Sequence, residues 1–169
     1  LARAAEGGIA LTLQPLALHT LLRDVLLRYL PRADALEVDL GAEGLDQAVV
    51  VRGNIALVEG ILNNLLDNAQ ASAEAGQAPA QVQVHVRADA SSQQAVLCVS
   101  DSGAGVHDED RAHVFDAFYS TKEGGMGMGL AICRSIVEAH HGSIAVDQDP
   151  VLGGARFTVT LPLAPRPAN

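Results

Sequence analysis

Apolar residues recur along this chain with two periods, and the changes between them mark out its elements. Ile9, Leu11 and Leu13 alternate as in a short strand. Residues 16–30 have the pattern of an amphipathic helix that ends at Pro31. LEVDL (36–40) and QAVVVRG (47–53) alternate again, joined by an acidic loop containing glycine. A helical period returns from about 54 to 75, with Asn54 as N-cap and Gly76 and Pro79 as stop signals. QVQVHVRAD (81–89) and QAVLCVSD (94–101) predict two strands around an SSQQ turn. Residues 102–128 carry few periodic apolar positions and predict a long functional loop. A helix from about 128 to 141 follows, then strands SIAVDQ and ARFTVTLP. Strand pairs alternate with single helices, so antiparallel pairing and one sheet layer with helices on one face are expected.

One helix carries an anomaly. Leu57, Ile61, Asn64, Asn68 and Ala71 follow at four- and three-residue steps, which places two carboxamides one turn apart on one face. A core stripe of Val58, Leu62, Leu65 and Ala69 lies beside them. A carboxamide oxygen is a hard ligand suited to Mg²⁺. Being neutral it cannot hold the ion alone, but it can hold one that arrives bound to phosphates.

Length and charge narrow the classes. The chain has 169 residues, enough for one domain with an aliphatic core, since tryptophan is absent and aromatics are few. A net charge of −9 disfavours a sequence-independent grip on nucleic acid. Cys98 and Cys133 sit in apolar runs and predict buried small hydrophobes, without the spacing of a zinc site. No membrane span or signal peptide is visible, so a cytoplasmic location is expected, with a longer, membrane-anchored parent left open. The first residue is Leu, and an excised fragment of a longer protein is expected.

Two further stretches carry chemistry. In VSDSGAGV, Asp101 ends a strand before Gly103 and Gly105. A carboxylate there can accept a hydrogen bond from the exocyclic amine of adenine and would repel the oxygen of guanine. In STKEGGMGMGLAI, Gly124, Gly125, Gly127 and Gly129 precede a helix start, where backbone N–H groups attract phosphate. The spacing is GxGxG, neither the dinucleotide-binding pattern nor the P-loop. Lys122 stands before these glycines as a point charge for terminal phosphates. Phe115, Phe118 and Tyr119 would anchor a mobile lid from about 107 to 126.

Together these stretches resemble the ATP-binding catalytic domain of sensor histidine kinases, in the GHKL ATPase superfamily. NNLLDNAQAS resembles the N box, DSGAG the first glycine box, FDAFYSTK the F box and GMGMGLAI the second glycine box. HHGSIAVDQDPVLGGARFTVTLP resembles the closing strands. The short lid, the STK motif and NAQAS in place of an N-box lysine look most like the nitrogen-regulation and oxygen-sensing subclass. The resemblance implies an α+β, two-layer sandwich of a five-stranded mixed sheet and about three helices. It implies that Asn68 coordinates Mg²⁺ with Asn64 supporting it or the phosphates, that Asp101 reads adenine, and that Gly103 and Gly105 shape the base pocket. Thr121, Lys122, Gly125, Gly127, Gly129 and Leu130 would belong to the nucleotide site at the lid. The ligands would be ATP and Mg²⁺.

Residues 1–15 then read as a linker and the end of a preceding helical domain, 16–163 as the catalytic domain and 164–169 as a disordered tail. None of the histidines (19, 85, 107, 113, 140, 141) has a phosphoacceptor context. The acceptor would stand on a separate helical domain of the same kinase, with a response regulator as indirect partner and neither nucleic acid nor membrane contacted by this domain. Ser143 would replace the second glycine of the closing HGG. A GHKL ATPase that hydrolyses ATP is the alternative; such relatives carry Glu four residues before the metal Asn, where this chain has Asn64. A nucleotide-binding module without catalysis is the other.

Overall fold

The computed structural model describes residues 11–117 and 129–165. Strand β1 (Gln14–Ala17) leads into helix α1 (Leu18–Ala35), then β2 (Val38–Glu43), β3 (Val50–Gly53) and helix α2 (Ile55–Ala75). Strands β4 (Ala80–Asp89) and β5 (Gln94–Asp101) precede a short helix α3 (Asp108–Arg111). Helix α4 (Gly129–Ala139) and strands β6 (Ser143–Gln148) and β7 (Ala155–Pro162) complete the fold. The fold is α+β, with a five-stranded mixed sheet ordered β2-β4-β5-β7-β6.

The helices and the sheet bury complementary stripes. Leu18, Leu21, Leu22, Val25, Leu26, Tyr29 and Ala33 line α1, and Val58, Ile61, Leu62, Leu65, Leu66, Ala69 and Ala73 line α2. They meet Val82, Val84 and Val86 of β4, Leu97 and Val99 of β5, and Phe157, Val159 and Leu161 of β7. Alternation places those sheet residues on one face. Cys133 is fully buried, and burial pushes its thiol pKa up to about 12, so it packs as an inert hydrophobe at neutral pH. Cys98 is half-buried beside Thr158 Oγ1 at 3.6 Å.

Several expectations need correction. Pro31 does not end α1; it lies inside the helix, which runs on to Ala35. Ala33 continues the buried stripe and Arg32 pairs with Asp67, which offsets the missing hydrogen bond. The first strand is Gln14–Ala17 rather than 9–13, of which residues 9 and 10 lie outside the described residues. β2 and β3 do not pair. β2 runs parallel to β4, and β3 runs antiparallel to β1. A helix crossover through α2 separates β2 from β4, as parallel neighbours require. The stretch after Asp101 is not structureless, since it contains α3. At the far end, Ala164 N–H donates to Val50 O at 2.8 Å, so backbone pairing with β3 continues one residue past Leu163, which bridges Val51.

Candidate nucleotide-binding site

Helix α2 begins where its sequence predicts. The Asn54 side chain accepts the Leu57 N–H at 3.1 Å, satisfying one of the open donors of the first turn. Buried His140 fixes the same corner: its Nε2 accepts the Asn54 N–H at 3.1 Å. Its Nδ1 lies 2.8 Å from Ile136 O, an acceptor, so the neutral ring carries its proton on Nδ1. The end of α4 is thereby tied to the start of α2.

Beyond this corner α2 presents two polar faces. Asn63 and Asp67 turn toward α1, where Tyr29 Oη donates to Asp67 Oδ1 at 2.9 Å and lies 3.2 Å from Asn63 Oδ1. Burial, reinforced by the Asp67 hydrogen bond, raises the Tyr29 pKa well above the ordinary phenol value. Arg32 also reaches Asp67, at 3.1 Å. The other face carries Asn64, Asn68 and Ser72 at successive four-residue steps, all half-buried. At 1.5 Å rise per residue that face runs about 12 Å.

Its two ends meet different elements. At one end stands the first residue of α4: a Cβ placed on Gly129 would lie 3.4 Å from Asn64 Oδ1. Leu130 beside it packs against the core. At the other end, Ser72 Oγ donates to Asp101 Oδ1 at 3.2 Å. Asp101 is fully buried. The same oxygen accepts the Gly103 N–H at 2.8 Å and the Ala155 N–H at 3.4 Å. A Cβ on Gly154 would stand 2.3 Å from Asp101 O and 2.4 Å from Oδ1, so β7 can approach only because that residue is glycine. A Cβ on Gly103 would stand 2.2 Å from Ser72 Oγ, so this glycine lets the turn press on α2. Gly105, at φ +81, takes the left-handed conformation glycine adopts freely.

The stretch expected to form a lid is described only up to residue 117. Phe115 is buried edge-on against Phe157, with ring centroids 6.0 Å apart. Asp116 contacts His113 at 3.1 Å and Arg134 of α4 at 3.9 Å. Phe118, Tyr119, Thr121, Lys122, Gly124, Gly125 and Gly127 lie outside the described residues. At the close of α4, the left-handed residue is His141, φ 63, whose following Gly142 N–H bonds Val137 O. The departure from the HGG pattern thus falls at His141, where the backbone suits glycine, rather than at Ser143.

Residues 53–165 match the family described as histidine kinase-, DNA gyrase B-, and HSP90-like ATPase. The chain belongs to this family. Within it, the chain is 32% identical over 153 residues to the sensor histidine kinase TmoS of Ectopseudomonas mendocina, covering 90% of this chain and 16% of TmoS. It is 32% identical over 164 residues to the alginate biosynthesis sensor protein KinB of Pseudomonas aeruginosa, covering 95% of this chain and 26% of KinB. Full-length ShkA, solved in complex with AMPPNP, superposes with a TM-score of 0.81 at 30% identity, over 99% of this chain and 34% of ShkA. The mycobacterial sensor histidine kinase MprB gives 0.75 at 26% identity, over 92% of this chain and 100% of the MprB chain. This is the ATPase domain of sensor histidine kinases, and the chain spans only 16% of the length of TmoS and 26% of that of KinB.

Ser72 and Gly154 belong to the site geometry and were not singled out from sequence. Ser72 is signalled by one more four-residue step after Asn64 and Asn68. Gly154 is signalled by the glycine pair ahead of the last strand. Among the described residues, no helix is long and apolar enough to cross a membrane.

Proposed function

We propose that this domain binds Mg-ATP along the Asn64–Asn68–Ser72 face and donates the γ-phosphoryl group to a histidine on a separate helical domain of the same kinase. The observation that supports it is the run of that face from the Asp101 cage to the start of α4, with base chemistry at one end and a helix N-terminus at the other. Asp101 accepts the exocyclic amine of adenine. Asn68, supported by Asn64, supplies carbonyl oxygens that suit Mg²⁺, and these half-buried carboxamides fit an ion shared with phosphate. The bound ion would neutralise charge on the phosphate oxygens. Thr121, Lys122, Gly125, Gly127, Gly129 and Leu130 would complete the nucleotide site, by resemblance to the family. The chain's contribution is positioning and charge neutralisation; the base that assists the acceptor histidine lies with that histidine. A response regulator downstream and a cytoplasmic setting complete the reading.

A hydrolytic clamp is disfavoured by two observations. Asn64 stands where a water-activating Glu would be needed, and Glu59 is turned away into an ion pair with Arg28 of α1. The deciding experiment adds γ-labelled ATP and the helical domain of the parent protein. Label on its histidine is expected. Free phosphate released at the same rate with and without that domain, and an unlabelled histidine, would overturn the kinase reading.

A further inference from the structure

Three donors from three different segments converge on Asp101 Oδ1. Two are backbone N–H groups, of Gly103 in the turn after β5 and of Ala155 at the start of β7. The third is the hydroxyl of Ser72, the one of these three that a side-chain substitution removes. Ser72 is also confined. The turn presses on it through Gly103, and Gly76 at the end of α2 closes on the same turn, a Cβ there reaching 3.0 Å from Gly103 Cα. A carboxylate pinned at one oxygen from three directions cannot rotate about its Cβ–Cγ bond without breaking a charge-assisted hydrogen bond.

We propose that Ser72 is a positioning residue for base selection: its hydroxyl fixes the plane of the Asp101 carboxylate and so sets discrimination in favour of a 6-amino purine. This rests on the reading of Asp101 as the group that meets the base. Ser72 touches neither phosphates nor metal in this role. It links the face that carries Asn68, one turn earlier, to the far end of the site. Removing it leaves the two backbone donors on Oδ1 and loosens the orientation of the carboxylate plane, and the penalty falls on ligands that need an acceptor at a fixed position.

The test is calorimetric titration of the full chain with Mg-ATP and with the Mg complex of purine riboside triphosphate, which lacks the 6-amino group. Ser72→Ala is expected to weaken ATP about fivefold, the scale of coupling between groups in one hydrogen-bond network. Affinity for the purine riboside nucleotide should be unchanged, and Ser72→Thr, which keeps the hydroxyl, should restore ATP binding. Thermal melts confirm that each variant is folded; if Ser72→Ala is not, Ser72→Cys offers a similar shape with a weak donor and carries the same expectation. Equal weakening of both nucleotides would mean a merely structural role and overturn the proposal. So would unchanged ATP affinity. If the wild-type chain and Asp101→Asn both bind the two nucleotides alike, the reading of Asp101 fails first and the role of Ser72 falls with it. Discrimination that is lost in Asp101→Asn but intact in Ser72→Ala overturns the Ser72 role alone.

Discussion

Replacing Gln70 with leucine should stabilise the domain. Gln70 lies on the buried stripe of α2 between Leu66 and Ala73 and is fully inaccessible. Among the described residues, neither its Nε2 nor its Oε1 has a hydrogen-bond partner. A buried polar group left unsatisfied costs about 1–3 kcal/mol, and leucine removes both such atoms at similar volume. Imperfect fit of the branched side chain returns up to about 1.5 kcal/mol. A net gain of about 2 kcal/mol is expected, or about 4–8 °C in melting temperature for a domain of this size. Urea denaturation followed by circular dichroism reads it directly: the midpoint should rise with the slope unchanged. Nucleotide affinity should not move, because two residues carry Gln70 about 200° around the helix from Asn68. An unchanged or lower midpoint would refute the reasoning and mean that the carboxamide is satisfied in solution.

Other outcomes follow from the same geometry. Asn68→Ala should abolish measurable Mg-ATP binding in calorimetry while leaving the melting temperature within about 1–2 °C of wild type, because a half-buried carboxamide on a helix surface contributes little to folding. His141→Gly should raise stability by about 0.5–1 kcal/mol in the same denaturation assay, since the residue sits at φ 63 and glycine reaches that conformation without strain. The Arg156 guanidinium, bonded to both oxygens of Asp147 at 2.9 and 2.6 Å, holds that carboxyl below the usual range. The pair's stabilisation is therefore present above the unfolded carboxyl value of about 3.9 and is lost as pH falls through the lower folded value. Asp147→Asn should thus be slightly less stable than wild type at pH 7, by under about 1 kcal/mol for so exposed a pair, and the gap should close in titrations carried below the lowered folded value of Asp147.

What could be read from the chain follows from what each signal encodes. The alternation in 81–89 and 94–101 defined β4 and β5 because both bury one face and a short turn joins them. The same alternation in 36–40 and 47–53 showed extended chain but not its neighbour; partner choice depends on α2, which carries the chain across to β4. Pro31 read as a stop because proline costs hydrogen bonding locally, whereas the burial of Ala33 and the Arg32–Asp67 pair are tertiary facts. Asn64, Asn68 and Asp101 stood out by residue type in an unusual setting. Ser72, Gly154 and His140 did not, because their roles are contacts across distant segments that a one-dimensional spacing does not carry. Gly103 was read as making room for a ligand; in the fold the space it leaves is taken by α2.

Both edges of strand β3 carry backbone partners. β1 takes one of its edges, pairing Gln14 with Gly53, while Leu163 bridges Val51 and Ala164 bonds Val50. Backbone arriving ahead of α1 and backbone leaving after β7 are therefore stitched to the same four residues. Tension applied from either direction converges on one short ribbon, a single residue upstream of the helix whose carboxamides face the start of α4.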